Sequence, residues 1–141
     1  DGISLNSDSY GYHAGMPFGT CLFVDLENAN ISIGENTRLN GVYVHAKNQI
    51  KIGANCVIAA GTSILDSNGH ETKSFDRTKG SDSPKPIVIG NNVWIGLNVI
   101  ILKGTIIGDN CVIGANSVVK GSFKQNLLIE GNPAIAVKDL F

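Results

Sequence analysis

Three histidines, His13, His45 and His70, are the side chains of this 141-residue chain best suited to moving a proton near neutral pH. His70 stands apart from the other two. It opens a polar stretch, Ile64-Leu65-Asp66-Ser67-Asn68-Gly69-His70-Glu71, with Asp66 four residues upstream. A carboxylate at that spacing is within reach to orient an imidazole and raise its basicity, so His70 reads as a general base and Asp66 as its partner. The only tryptophan, Trp94, lies beyond the stretch in Ile89-Gly90-Asn91-Asn92-Val93-Trp94-Ile95-Gly96. The three histidines are 32 and 25 residues apart with no close pair, so a three-histidine zinc site is not expected.

The elements that must carry these residues follow from a six-residue period. Ile33, Ile52, Ile58, Ile89, Ile95, Ile101, Ile107 and Ile113 each open a hexad whose fourth residue is Asn or Gly. From Ile89 onward, Ile89, Ile95, Ile101, Ile107, Ile113 and Val119 fall six apart without a break. Six is three times the strand period, so every sixth residue of an extended chain faces one side. A helix would need apolar residues every three to four positions and would lose about 1 kcal/mol at each interior glycine. The fourth residue accepts positive φ cheaply and marks a corner. The small residue after it (Thr37, Cys56, Thr62, Val93, Val99, Thr105, Cys111, Ser117) is a second inward position. Strand, corner, strand, corner makes a coil, and stacked coils make an all-β parallel solenoid. On this reading Trp94 points outward, as a subunit contact or the wall of a ligand site.

Breaks in the period divide the chain. Residues 1–22 form an N-terminal lead-in within a single domain spanning 1–141. Ile33 and Ile52 are nineteen apart, one more than three hexads, which places an extra residue near Gly41. The largest break, residues 66–86, is polar and is expected to leave the solenoid as a loop that builds a site. Residues 125–141 lose the period and should close the open end. The formal charge is −1 with no polybasic run, which argues against nucleic acid, and no apolar run approaches the ~20 residues of a membrane span. No signal-peptide pattern is visible. Three cysteines at wide spacing do not suggest a disulfide framework; Cys56 and Cys111 read as core, and a reducing, cytoplasmic setting is expected.

Taken together, the hexads, Ile58-Ala59-Ala60 before the break, Gly69-His70 within it, the Trp94 motif, Ala115-Asn116-Ser117-Val118-Val119 and Gly131-Asn132-Pro133-Ala134 are specific in combination. Over roughly residues 31–138 the chain resembles the hexapeptide-repeat acyltransferases, and among them the maltose, galactoside and surface-polysaccharide O-acetyltransferases. That resemblance implies a left-handed parallel β-helix, a homotrimer with active sites between subunits, and acetyl-CoA as co-substrate without a metal. It implies direct transfer of the acetyl group to a saccharide hydroxyl, with His70 in the place of the family's catalytic histidine. The CoA contacts would fall on Trp94, Leu97, Ala115, Lys120, Gly121 and Lys138. The acceptor side would include Asn40, with His45 in the same coil and with Phe75 and Arg77 of the loop suited to a sugar face, its hydroxyls or a carboxylate.

The chain also departs from the galactoside enzymes. They carry Ser where Leu97 stands, Thr-Lys where Lys120-Gly121 stand, and Arg where Ile135 stands. Their acidic acceptor contact falls near Lys47, so the acceptor is expected to differ from a simple galactoside. Two other readings use the same repeats: an amino-sugar or antibiotic acetyltransferase, and a noncatalytic scaffold or binding solenoid.

Overall fold

A computed structural model describes residues 2–8 and 14–141; His13, Tyr10 and Tyr12 lie outside the described residues. The described residues form seventeen strands and no helix. The first coil is β1 (Ser4–Asn6), β2 (Cys21–Val24) and β3 (Asn30–Ile33). The second is β4 (Arg38–Asn40), β5 (Tyr43–Ala46) and β6 (Gln49–Ile52), and the third is β7 (Val57–Ile58), β8 (Ser63–Leu65) and β9 (Ile87–Ile89). Next come β10 (Trp94–Ile95), β11 (Ile100–Ile101) and β12 (Ile106–Ile107), then β13 (Val112–Ile113), β14 (Val118–Val119) and β15 (Ser122–Phe123). The chain ends in β16 (Leu127–Gly131) and β17 (Ala134–Asp139).

Each coil gives one strand to each of three parallel sheets, so the molecule is a three-faced, left-handed parallel β-helix. The first face carries β1, β4, β7, β10, β13, β16 and β17; the second carries β2, β5, β8, β11 and β14; the third carries β3, β6, β9, β12 and β15. Backbone bonds run from coil to coil, as in Gly34 N–H to Ile52 O at 2.9 Å, Gly53 to Ile89 at 2.9 Å and Gly90 to Ile107 at 2.8 Å.

The hexad residues sit where the period puts them. Ile52, Ile58, Ile89, Ile95, Ile101, Ile107 and Ile113 are at most 1% exposed, and the small positions from Thr37 to Ser117 are equally buried. Each buried Ile contributes roughly 1.5–3 kcal/mol of transfer free energy. Polar members of the small set are satisfied by donating across coils: Thr37 Oγ1 to Gly53 O at 2.8 Å and Thr62 Oγ1 to Gly96 O at 3.1 Å. Cys56 Sγ approaches Gly90 O at 3.2 Å, and burial pushes the Cys56 and Cys111 thiols up from their ordinary value. Cys21, by contrast, is exposed on the outer side of β2.

Corners take the left-handed backbone at Asn36, Asn55, Asn92, Asn98, Asn110 and Asn116, with φ between 54° and 60°. At the corner between the third and first faces their amides form ladders: Asn92 donates to Asn110 at 2.9 Å and Asn110 donates to Asn126 at 3.0 Å. The extra residue of the second coil is not at Gly41, as the period suggested: register pairs Leu39 with Ile58, Val44 with Ile64 and Ile52 with Ile89, so the Gly41 corner (φ 61°) is one residue short and the added chain lies at the Lys47-Asn48 corner.

Two elements differ from what the period suggests. Ser4–Asn6, inside the lead-in, already form a strand, because Leu5 pairs in register with the inward Leu39 although no repeat marks it. The tail does more than end the stack: β16 continues the first face, and Gly131-Asn132-Pro133-Ala134 turns the chain so that β17 returns antiparallel.

Coil spacing leaves no room at the glycine after each third-face isoleucine. A Cβ on Gly53 would lie 2.4 Å from Gly90 O and 2.5 Å from Gly90 C, both backbone atoms of the next coil. We therefore expect Gly53→Ala to cost at least ~2 kcal/mol in urea unfolding, as an overpacked contact does. Asn55→Gly, which keeps the left-handed corner, should cost less than half as much, and equal losses would show that coil spacing is not what the glycine protects.

Candidate active site

The outward row of the first face aligns Ser4, Arg38, Val57, Trp94, Val112 and Leu128, one residue per coil. Lys138 of β17 pairs with Leu128 and extends the row. Over its middle runs a groove of about 650 Å³, within the range of small-molecule sites. Asn6, Arg38 and Asn40 line one end, Trp94 the middle, and Leu97 and Ala115 the other end. Trp94 is 57% exposed, a side chain of that size standing free beside a groove. Small residues keep the floor low. A Cβ on Gly96 would come within 2.8 Å of Ala115 N.

Four of the residues expected from the sequence thus share the groove: Asn40, Trp94, Leu97 and Ala115. Asn40 is 7% exposed and already engaged, donating to Ile58 O at 3.1 Å and accepting from Asn6 Nδ2 at 2.5 Å. Lys120 and Gly121 sit at the corner after β14, and Lys138 is exposed on β17; none of the three lines the groove. His45 is on the outer side of the second face, packed edge-on against Phe23 at 5.0 Å and Tyr43 at 6.1 Å. Its Nε2 lies 3.3 Å from the Asp25 carboxylate, which Lys47 Nζ also approaches at 3.2 Å. The Lys47 hydrogen bond holds the Asp25 carboxyl below its ordinary value. His45 is therefore not brought to the groove.

His70, Phe75 and Arg77 ride on the loop between β8 and β9, all three exposed. That loop leaves at the corner between the second and third faces, the corner opposite the groove-bearing face. The expected pairing of Asp66 with His70 needs correction. Asp66 is fully buried, and its carboxylate accepts the backbone N–H groups of Lys47 at 2.8 Å and Asn48 at 2.7 Å. Its carbonyl accepts Lys85 N–H at 2.9 Å, closing the foot of the loop. Burial without those donors would be costly, so both oxygens are committed to the turn.

The carboxylate that does reach the His70 segment is Asp82, which the sequence did not mark. It is buried, accepts Ser67 Oγ at 2.5 Å and Asn68 N–H at 2.8 Å, and is paired with Lys103. Lys103 also donates to Ser83 O at 3.0 Å, and Ser67 Oγ accepts Gly69 N–H at 3.0 Å. The three residues before His70 are thereby tied to the returning limb of the loop. Burial alone would raise the Asp82 carboxyl, but the hydrogen bonds from Lys103, Ser67 and Asn68 outweigh it and hold it far below the usual carboxylate range. A depressed pKa means the anchor is fully present above about pH 4 and is lost only as acid protonates the folded form.

Among the described residues no group of three His, Cys, Asp or Glu side chains is placed to hold a metal ion, and no helix is long and apolar enough to cross a membrane.

With this geometry in place, comparison with known proteins is informative. Residues 86–121 match the family described as bacterial transferase hexapeptide (six repeats), and residues 50–66 match the hexapeptide repeat of succinyl-transferase. The chain is 43% identical over 112 residues to a provisionally assigned acetyltransferase of Dictyostelium discoideum, covering 79% of this chain and 58% of that one. It is 38% identical over 118 residues to a provisionally assigned lipopolysaccharide-biosynthesis O-acetyltransferase of Escherichia coli, covering 77% and 60%. A solved hexapeptide-repeat acetyltransferase of Vibrio cholerae, complexed with acetyl-CoA, superimposes with a TM-score of 0.74 at 30% identity, covering 86% of this chain and 68% of that one. The chain belongs to the hexapeptide-repeat acetyltransferase family. It spans somewhat under two thirds of the length of the two curated relatives.

Because Asp82 holds the loop root, Asp82→Asn should make the loop open more often. It carries Lys73, Arg77 and Lys79, so limited trypsin digestion should cut it at least ~10-fold faster, matching the loss of a charge-assisted bond. The thermal midpoint of the coils should move little.

Proposed function

We propose that this chain is the β-helix of an acetyl-CoA-dependent O-acetyltransferase acting on a saccharide, in surface-polysaccharide modification. The supporting observation is the first-face groove, which gathers Asn40, Trp94, Leu97 and Ala115 on a fold shared with an acetyl-CoA-bound relative. Its apolar middle and low floor suit a narrow chain such as the pantetheine arm, with Trp94 as a wall and Ala115 allowing close approach to the backbone. The thioester supplies an activated acetyl group. Lys138, at the far end of the outward row, would meet a CoA phosphate beyond the groove.

His70 is the general base. It takes the proton of a sugar hydroxyl as that oxygen forms a bond to the thioester carbonyl carbon; the carbon–sulfur bond then breaks and CoA leaves as the thiol. Phe75 and Arg77, on the same loop, would meet the acceptor. His70 is carried at the corner opposite the groove, which favours a homotrimer whose sites form between subunits, one chain giving the loop and its neighbour the groove. The free, buried cysteines suit a reducing cytoplasm, where we place the reaction.

A thiol-release assay with acetyl-CoA across a panel of sugars tests the activity. His70→Ala should lower kcat about 100-fold or more while acetyl-CoA still binds, as loss of a general base does; near-normal turnover would refute the assignment. Co-expressing His70→Ala with Ala115→Trp, which fills the groove, tests the assembly. Two inactive variants should together recover about a quarter of wild-type activity if loop and groove come from different subunits. No recovery would mean that each chain builds its own site.

A further inference from the structure

We infer that the acceptor end of the groove is built for an anion, so that the saccharide this chain modifies carries a carboxylate, as uronic and sialic-type sugars do. The inference rests on the acetyltransferase reading of the groove and adds the class of its acceptor.

Arg38 carries the argument. It occupies the outward position before the inward Leu39, the position Trp94 holds two coils later, and it lines the same groove. Among the described residues its guanidinium has neither an ion-pair nor a hydrogen-bond partner; other cations without an ion pair, such as Lys51, Lys73, Arg77 and Lys120, do not line the groove. No Asp or Glu lines the groove, so the one formal charge there is positive. Beside it lies the Asn6–Asn40 amide pair, which still has an N–H and lone pairs to offer a sugar hydroxyl. A planar guanidinium beside two carboxamides and a ring-bearing wall is a site for a carboxylate on a polyhydroxylated ring.

The same charge could instead serve a phosphate of CoA. Position argues against this. Arg38, next to Ser4 near one end of the outward row, and Lys138 at the other end have β7, β10, β13 and β16 between them, about 24 Å at the usual strand spacing. Ala115 and Leu97 lie on the Lys138 side of Trp94, where the cofactor contacts fall, and Arg38 lies on the other side.

The test uses the intact assembly and three matched pairs of methyl glycosides, of glucuronic, galacturonic and N-acetylneuraminic acids, each against its neutral methyl ester. Binding is read by saturation-transfer NMR and calorimetry without acetyl-CoA, so turnover is not required. The wild type should bind at least one acid about 10-fold or more tightly than its ester, and the difference should shrink between low and high salt. Arg38→Gln should abolish that preference with acetyl-CoA affinity unchanged, which also shows the variant is folded, and Arg38→Lys should keep part of it. The inference is overturned if no pair shows a preference, if the preference survives in Arg38→Gln, or if Arg38→Gln weakens only acetyl-CoA. A preserved acid preference with no thiol release from any sugar would instead sink the transferase reading and leave the anion site standing.

Discussion

Everything in this molecule depends on each coil presenting the same cross-section to the next. Backbone hydrogen bonds run along the solenoid axis, so a coil that bulged or tilted would leave its neighbours' N–H and C=O groups without partners. Two residue choices enforce the match. Asparagine turns the corners at φ near 55–60° and bonds to the asparagine above it, and glycine lets the third-face backbone pass within touching distance of the next coil. Isoleucine then fills a core whose shape has already been decided.

That regularity also explains where function can reside. A hexad whose first and fifth residues must be Ile and small, and whose fourth must be Asn or Gly, leaves only outward positions free to carry chemistry. On the first face those positions hold Arg38, Val57, Trp94 and Val112, and their line becomes the floor and wall of the groove. The other freedom is to leave the solenoid altogether, as residues 66–86 do. Leaving has a cost at the root, because two chain limbs must exit side by side from a packed corner. Asp66 meets it by accepting Lys47 and Asn48 from the coil below, and Asp82 by gripping Ser67 and Asn68 under Lys103. Asp66, which sequence logic would assign to catalysis beside His70, and Asp82, which it would not mark, are both the means by which the segment before His70 holds a shape.

Groove and loop lie on opposite sides of one chain. On the proposed function, the separation of His70 from the apolar channel fits an assembly in which each chain exports its loop to a neighbour. On that reading the polar loop and the apolar-walled groove are two halves of one proposed site.

How much of this was legible beforehand follows the range of the forces involved. The stacked parallel coils, their inward isoleucines, the buried Cys56 and Cys111 and the outward Trp94 all followed from a period of six, since strand alternation and corner conformations are local properties, while three faces per coil and the left hand came with the family resemblance. The position of His70 on an excursion from the coils was equally plain, because the excursion is where the period stops. Asp82 and Lys103 were not legible: they are 21 residues apart, neither falls in a motif, and only folding the loop back on β11 and β12 makes them neighbours. Arg38 could have been found from its hexad position, the one Trp94 shares, but its meaning depends on there being no Asp or Glu among the described residues that line the groove, which is a fact of three dimensions. The sequence by itself therefore determined the prism and where it is interrupted, through repeated short-range rules. The tertiary structure alone decided which carboxylate anchors the loop, which outward residues share a groove, and that His45 and Asp66 do not, because those outcomes depend on contacts between coils that no spacing along the chain encodes.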